Sequence, residues 1–313
     1  MPRSPLRPLR HRFEAALLGA LGFVARRLPF TWAGSVGGGV GRLAFAVLGR
    51  RRRIAVENIR RALGDPVDGT PAEGLARRAF EQLGRSFVEF LWLEGRRPEE
   101  LAPLASLEEL DPLLERAREG KGAVLVTAHF GNWELFGAAM RARGLPIRYL
   151  LPPQGNAASD AYFDAVRRSV GIEPVKIGFG MRDALRALRA GDCLAMLPDQ
   201  DARRVGAHVP FFGRPASTHT GPARLAVRAG CPIAVVMIER TGPGRFRGRL
   251  DAMLLPREEA EEEDEVLRLT REITATIEAA VRRRPDHWYW LHRRWKTPPP
   301  PNVSGTGREP DLL

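Results

Sequence analysis

Short apolar runs and helical stretches alternate through the second half of the chain. Residues 123–127, 147–151, 193–197 and 233–238 are each the length of a buried strand. Between most of them, in 133–143, 159–170, 181–190 and 221–229, apolar positions recur three and four residues apart, the period of a helix face. Strands alternating with helices predict an α/β fold with a mixed, mostly parallel central sheet flanked by helices. Gly144, Gly171, Gly191 and Gly230 fall just after helical stretches, where a left-handed residue ends a helix and glycine adopts it without steric cost. A further helix over 257–284 begins acidic (Glu258 to Glu265) and ends basic (Arg282 to Arg284), matching the helix dipole. Val266, Leu269, Ile273, Ile277 and Val281 form its buried stripe.

The first half reads differently. From Ile54 to Leu93 the pattern is helical, with Ala79, Leu83, Phe87, Phe90 and Leu91 on one face. Ahead of it lie two apolar runs, 15–25 and 32–48. As a helix the first reaches roughly 16 Å, short of a hydrocarbon core of about 30 Å. The second is barely long enough and carries Arg42 with Gly37, Gly38, Gly39 and Gly41. Arg26-Arg27 stands where a signal peptide would carry its small-residue cleavage site. Residues 13–49, closed by Arg50 to Arg53, therefore read as membrane-embedded or interfacial helices between basic anchors. The other reading is an ordinary buried helix pair joined through a glycine-rich turn. The resulting division is a basic, apolar N-terminal membrane anchor (1–53), a helical region (54–115), an α/β core (116–297) and a proline-rich flexible tail (298–313).

Composition narrows the classes. With 313 residues, 44% of them hydrophobic, the chain has enough apolar surface for a core, which excludes disorder as its main state. Cys193 and Cys231, each in an apolar run, exclude a disulfide scaffold and point to a reducing compartment. A net charge of +12 and a pI near 10.9 favour a polyanionic partner: nucleic acid, an anionic membrane surface or an acidic protein. Of the 49 basic side chains only Lys121, Lys176 and Lys296 are lysines. The stretch from His287 to Lys296 interleaves tryptophan and tyrosine with arginine. That pattern suits stacking on single-stranded nucleic acid, a membrane interface or a core aromatic strand.

The chemistry concentrates in His129-Phe-Gly-Asn-Trp-Glu134, directly after the 123–127 strand. In one continuous helix His129 and Glu134 would point about 140° apart. A turn at Gly131-Asn132, with Asn132 as N-cap and Glu134 in the first helical turn, lets them converge. A carboxylate on one ring nitrogen fixes the tautomer and leaves the other nitrogen free to take a proton from a hydroxyl. The substrate alcohol then supplies the attacking oxygen that a serine supplies in a triad. Asp199 and Asp201 flank Gln200 after the 193–197 strand, with His208 and His219 downstream. The spacing fits no metal motif, so no metal is expected, although a metal-dependent hydrolase built on His129, Asp199, Asp201 and His208 is a competing reading. Asp199 or Asp201 is expected to hold a basic residue or the following loop. Gly178-Phe-Gly180 lacks the lysine of a phosphate-binding loop and reads as a hinge.

His129-Phe-Gly-Asn-Trp-Glu134 resembles the His-x4-Asp/Glu signature of the bacterial lipid A late acyltransferases, the lauroyl/myristoyl branch of the glycerolipid acyltransferase superfamily. Further stretches resemble that family's blocks in order: Pro198-Asp-Gln-Asp201 with Val209-Pro-Phe-Phe-Gly213, then Thr220-Gly-Pro-Ala-Arg-Leu-Ala, then Pro285-Asp-His-Trp-Tyr-Trp-Leu-His-Arg-Arg-Trp-Lys296. Upstream, Ile54-Ala-Val-Glu-Asn-Ile-Arg-Arg-Ala-Leu and Leu83-Gly-Arg-Ser-Phe-Val-Glu-Phe also fit. The resemblance covers roughly residues 10 to 297. It implies a glycerol-3-phosphate acyltransferase-like fold and an enzyme of the cytoplasmic face of the inner membrane. Such an enzyme moves an acyl chain from acyl carrier protein or acyl coenzyme A to a hydroxyl of an anionic lipid, without a cofactor. His129 would be the general base and Glu134 its orienting partner. Many relatives carry an arginine near the position of Ile177; here Lys176 and Arg182 are the nearby basic residues for that phosphate or oxyanion role. Asn132, Asp199, Asp201, Arg293 and Arg294 are further substrate-binding candidates. The acceptor is a lipid A precursor or another lipid, such as a phosphatidylinositol mannoside or a lysolipid. A membrane address for the arginines leaves nucleic acid as the distant alternative.

Overall fold

The computed structural model describes residues 7–151, 156–176 and 181–300. Four helices come first: α1 (Arg7–Ala25), α2 (Phe30–Val47), α3 (Gly49–Leu63) and α4 (Ala72–Trp92). A short α5 (Pro98–Leu101), an edge strand β1 (Ala105–Ser106) and α6 (Asp111–Arg118) lead into the alternating half. There β2 (Ala123–Val126), α7 (Trp133–Ala142), β3 (Ile147–Leu151), α8 (Ala157–Ser169), β4 (Glu173–Lys176), α9 (Met181–Arg189) and β5 (Cys193–Met196) follow one another. The hairpin β6 (Ala207–Phe211) and β7 (Arg214–Thr218), then α10 (Gly221–Ala229), β8 (Ile233–Gly242), β9 (Arg245–Leu254) and α11 (Glu262–Arg283) complete the chain.

The strand order is β1-β9-β8-β2-β5-β3-β4, and every neighbouring pair is parallel except β8 with β9. The mixed, mostly parallel sheet expected from the alternation is therefore present, as are its four apolar strands. Gly144, Gly171, Gly191 and Gly230 all have positive φ, as helix-ending glycines should. The strands that escaped notice lack an uninterrupted apolar run. β9 alternates Arg245, Arg247 and Arg249 with its inward residues, β4 contains Pro174, and the β6–β7 hairpin contains Pro210 and Pro215. The helical pattern over 54–93 is two helices, because Gly64 at φ 88 and the prolines at 66 and 71 break it.

Side chains of β2 alternate between two cores. Ala123 and Leu125 pack with Leu135 and Phe136 of α7; Val124 and Val126 pack with Ala226 of α10 and with Leu269 and Ile273 of α11. Each fully buried side chain of this size contributes about 1.5–3 kcal/mol, so helices on both faces hold the parallel strands. Helix α4 reaches both cores, with Leu75 to Phe80 in one and Val88 to Leu93 in the other. Against it lies α2, closely enough that Gly37 and Gly84 meet backbone to backbone and a Cβ on either would clash.

Among the described residues no helix is long and apolar enough to cross a membrane. What α1 and α2 do show is an outward apolar row. Leu17, Leu21 and Val24 on α1 and Trp32, Val36, Val40, Leu43 and Val47 on α2 are exposed, Trp32 by 66% and Leu43 by 63%. The aromatic segment from His287 forms no strand. Apart from one bridge between Phe130 and Trp288 it is irregular, with Trp288, Trp290 and Leu291 buried in the core. The turn at 178–180 and the tail from 301 onward lie outside the described residues.

Candidate active site

β2 and β5 run side by side, parallel and in register, with Val126 opposite Met196. Three residues beyond each, at the carboxyl edge where α/β sheets hold their ligands, stand His129 and Asp199. The Asp199 carboxylate is buried and takes three donors. His129 Nδ1 lies 2.8 Å from Oδ1, while Oδ2 accepts from the His129 amide at 3.0 Å and from the Trp288 indole at 2.9 Å. Burial alone would raise the Asp199 pKa, but the imidazole and these donors outweigh it and hold the carboxyl below its usual range. For His129 burial disfavours the charged ring. Asp199 beside it, helped by the more distant Glu134, overcomes that and raises its pKa above the ordinary 6.5.

With Nδ1–H committed to Asp199, Nε2 carries the lone pair. Gln200 Nε2 donates toward it from 3.3 Å, and the Trp133 and Tyr289 rings flank the imidazole. The turn beneath is tied from several sides. The His129 carbonyl accepts from the Tyr289 amide at 3.0 Å, the Gly131 amide donates to the His287 carbonyl at 2.9 Å, and Ser86 Oγ donates to the Gly131 carbonyl at 2.8 Å. Gly131 has φ 59 and sits against the Ile238 backbone, so no side chain fits there.

Glu134 does not orient the imidazole. Its carboxylate receives Arg167 of α8, Nε to Oε2 at 3.1 Å and Nη2 to Oε1 at 2.5 Å, while Arg167 Nη1 reaches Asp164 at 3.2 Å. The turn at Gly131 does start a helix at Asn132, but that start carries Glu134 to α8 instead of back to the ring. All three charged side chains are buried, and the two carboxylates raise the Arg167 pKa against the effect of burial. Arg182 is exposed at the start of α9, and Lys176 ends β4 with its side chain outside the described residues.

Other candidates also move. Asn132 is the expected N-cap, its Oδ1 accepting from the Leu135 amide at 3.0 Å, but it is buried and its amide is spent on Glu89 at 2.8 Å. It is closed to substrate. Arg294 is buried as well and donates to the Ser217 carbonyl at 2.6 Å and to Thr218 Oγ1 at 2.5 Å. Burial with no carboxylate bonded to it brings its pKa down to about 10. It braces the hairpin, whereas Arg293 is exposed. Asp201 fixes the C-terminal segment: Oδ2 accepts from Thr297 at 2.9 Å and its amide donates to His292 Nε2 at 2.9 Å. Among the described residues no three metal-ligating side chains converge, and His208 contacts the Thr297 carbonyl instead. Burial pushes the Cys193 thiol up to about 12, so it is no thiolate.

Arg167, Glu89 and Arg240 went unnoticed in the sequence. A signal existed for Glu89, a lone carboxylate among Val88, Phe90, Leu91 and Trp92. Arg167 gave only its i,i+3 spacing from Asp164.

A cavity of about 990 Å³ lies between β3, β5, α9 and α10. Along β5 every second residue, Leu194 and then Met196, faces it, and Pro198 brings it to the foot of Asp199. At the far end Arg148 and Asp192 pair at 2.6 Å.

A mixed, mostly parallel α/β sheet, a strand-end histidine–carboxylate pair and a nearby cavity of mixed lining make up the candidate site. The chain belongs to the bacterial lipid A biosynthesis acyltransferase family, whose pattern it matches over residues 6–297. It is similar to the lipid A biosynthesis palmitoleoyltransferase of Escherichia coli, 26% identical over 283 residues, 87% of this chain and 88% of that one. It is also similar to two proteins called phosphatidylinositol mannoside acyltransferase. The one from Mycolicibacterium smegmatis is 25% identical over 76% of this chain and 77% of that one. The one from Mycobacterium tuberculosis is 28% identical over 56% of this chain, and the match spans 58% of that relative.

Proposed function

We propose that the protein transfers a fatty acyl chain from a thioester, carried by acyl carrier protein or coenzyme A, to a hydroxyl of an anionic glycolipid. The observation that carries this reading is the 2.8 Å His129–Asp199 pair, next in sequence to Pro198, which lines the 990 Å³ cavity. The acceptor hydroxyl takes the position that Gln200 marks beside Nε2. As its oxygen attacks the thioester carbonyl carbon, its proton passes to Nε2, and Asp199 stabilises the imidazolium. The tetrahedral intermediate collapses with loss of the C–S bond, and the proton returns from Nε2 to the sulfur. An ester and a free thiol result. Glu134, clamped by Arg167, adds its charge to the field that favours imidazolium and pins α7 to α8.

The acyl chain lies in the cavity along β5. The six steps from Asp192 to Pro198 span about 20 Å at roughly 3.3 Å each. A long fatty acyl chain such as palmitoyl is accommodated in that length. The exposed row on α1 and α2, with Arg50 and Arg53 at its end, seats the protein in an anionic leaflet without crossing it, at the cytoplasmic face of the inner membrane where thioester donors are found.

A lipid A precursor is the acceptor suggested by the 26% identical relative matched over 87% of this chain, and a phosphatidylinositol mannoside the one suggested by the 28% identical relative matched over 56% of it. Purified protein in mixed micelles, given palmitoyl-coenzyme A or palmitoyl-carrier protein with each acceptor, tests both; mass spectrometry names the product. Turnover by His129→Ala at the wild-type rate would overturn the assignment of the base.

A further inference from the structure

The groups described so far touch the imidazole or flank it. Behind them, α4 reaches the same turn through one buried carboxylate. Both Glu89 oxygens accept from Arg240, Nη1 at 2.8 Å and Nη2 at 2.7 Å, and Oε2 also takes the Asn132 amide at 2.8 Å. Asn132 in turn caps α7 with its other atom, so one side chain joins Glu89 to the helix start three residues after His129. Helix α2 closes the site: a Cβ at Gly34 would stand 2.6 Å from Glu89 Oε1. Glu89 is thus sealed from water, with its guanidinium on the neighbouring β8.

A buried ion pair of this kind is a poor device for stability alone, because an apolar pair of similar volume commonly serves as well. What an apolar pair cannot do is hold an amide in one orientation. A carboxylate already locked by two parallel guanidinium bonds can accept the third bond in only a narrow range of directions, and that bond fixes the Asn132 side chain. The turn from His129 to Asn132 leaves the sheet through Gly131 at positive φ, and the Asn132 side chain is what ties its far end to α4.

We infer that Glu89, locked by Arg240, is a positioning residue: through Asn132 it holds the His129 turn in register with Asp199 and the acyl cavity. This rests on His129 being the base. The expected signature is in kcat and not in KM, since the thioester's binding surface is elsewhere. Displacement of a base by an ångström costs up to about a hundredfold in rate.

Four variants of the full-length protein test it with palmitoyl-coenzyme A and the two glycolipid acceptors in mixed micelles. Asn132→Ser keeps a good N-cap but cannot donate to Glu89. It should melt as the wild type does, lower kcat by about tenfold to a hundredfold and leave KM for the thioester within about twofold. Glu89→Gln should lower kcat in the same way but melt earlier, because Arg240 loses its carboxylate; the double variant should be no slower than the slower single one, because both cut one linkage. If Glu89→Gln does not fold, Asn132→Ser alone decides. Wild-type kcat in a folded Asn132→Ser protein overturns the proposal, as does a double variant whose losses multiply. His129→Ala separates the two levels. If it is inactive while Asn132→Ser is fully active, the base stands and the positioning fails; if it is active, both fall.

Discussion

The strand-end crevice and the N-terminal helix pair handle charge in opposite ways. In the crevice, charged groups are drawn inside and each meets a directional partner: Asp199 with His129, Glu134 with Arg167, Glu89 with Arg240. On α1 and α2 it is the apolar side chains that face outward, and Arg50 and Arg53 stand exposed beside them. Directional networks in a low-dielectric interior fail abruptly when one member is lost, since the partner is left uncompensated. A surface that works by area and net charge fails by increments, each residue adding its share. The contrast predicts cliffs in one region and slopes in the other.

The steepest cliff is at Asp199. Asp199→Ala removes the orienter of the base and should lower kcat by about 10³- to 10⁴-fold, as loss of the carboxylate does in histidine–carboxylate triads, with the thioester KM nearly unchanged. The pH profile sharpens the same point. The base works as neutral imidazole, so kcat/KM should rise with pH through the His129 pKa, and Asp199 raises that pKa. The acid limb of the wild type should therefore lie above pH 6.5, and Asp199→Asn should move it downward while lowering the plateau. A limb that stays in place would mean that another group titrates.

Next comes Glu134. Glu134→Gln leaves Arg167 buried with only Asp164, and breaking such a pair costs about 3–5 kcal/mol of stability, toward the lower end here because one carboxylate remains. Denaturant melts should show the loss in full, while kcat falls much less than in Asp199→Ala. If the two variants exchanged these behaviours, the roles of the two carboxylates would have to be exchanged as well.

The fate of those carboxylates marks how far the sequence could be read. The alternation of apolar runs with helical stretches was enough for the parallel sheet, and His129 at a strand end with Asn132 as cap was legible because both depend on neighbours in the chain. The partner of His129 was not. Glu134 is five positions away in sequence, Asp199 seventy, and only the adjacency of β2 and β5 makes equal offsets from Val126 and Met196 coincide in space. Nothing in either strand specifies that β5 inserts between β2 and β3. The burial of Arg294 and Asn132 was hidden for a related reason: polarity in a conspicuous segment does not reveal that both side chains are interior and bonded to protein groups. Strand β9 was missed because alternating arginines on its outer face hide a period of two.

The cavity is intermediate between the two regimes, a half-open surface with more apolar than polar lining and an ion pair at its far end. Leu194 lies about midway between Asp192 and Pro198 and faces it. Leu194→Trp should shorten the usable length and shift preference from palmitoyl toward shorter thioesters. Pocket discrimination is about 1–3 kcal/mol per methylene, so the ratio of kcat/KM for the two chain lengths should change by tenfold or more, with the ratio for the two acceptors unchanged. A uniform loss across all chain lengths would argue that the acyl group lies elsewhere.

The smallest single effect belongs to the helix pair. Arg50→Gln should weaken sedimentation with vesicles containing phosphatidylglycerol by about fivefold, from roughly 1 kcal/mol per basic residue near an anionic surface. Arg53→Gln should add a similar factor, and salt should erase both. Trp32→Ser should act independently of salt, because it removes apolar area and not charge. None of the three should alter kcat once substrates are presented in detergent, where no leaflet has to be reached. The additive pattern is the informative part. If Arg50→Gln alone abolished binding, the arginine would be part of a built headgroup site with directional partners, and the N-terminal face would belong with the crevice on the steep side of the contrast. Fivefold steps that sum, and that vanish on neutral vesicles, would place it with surfaces that recognise a membrane by its charge and its edge.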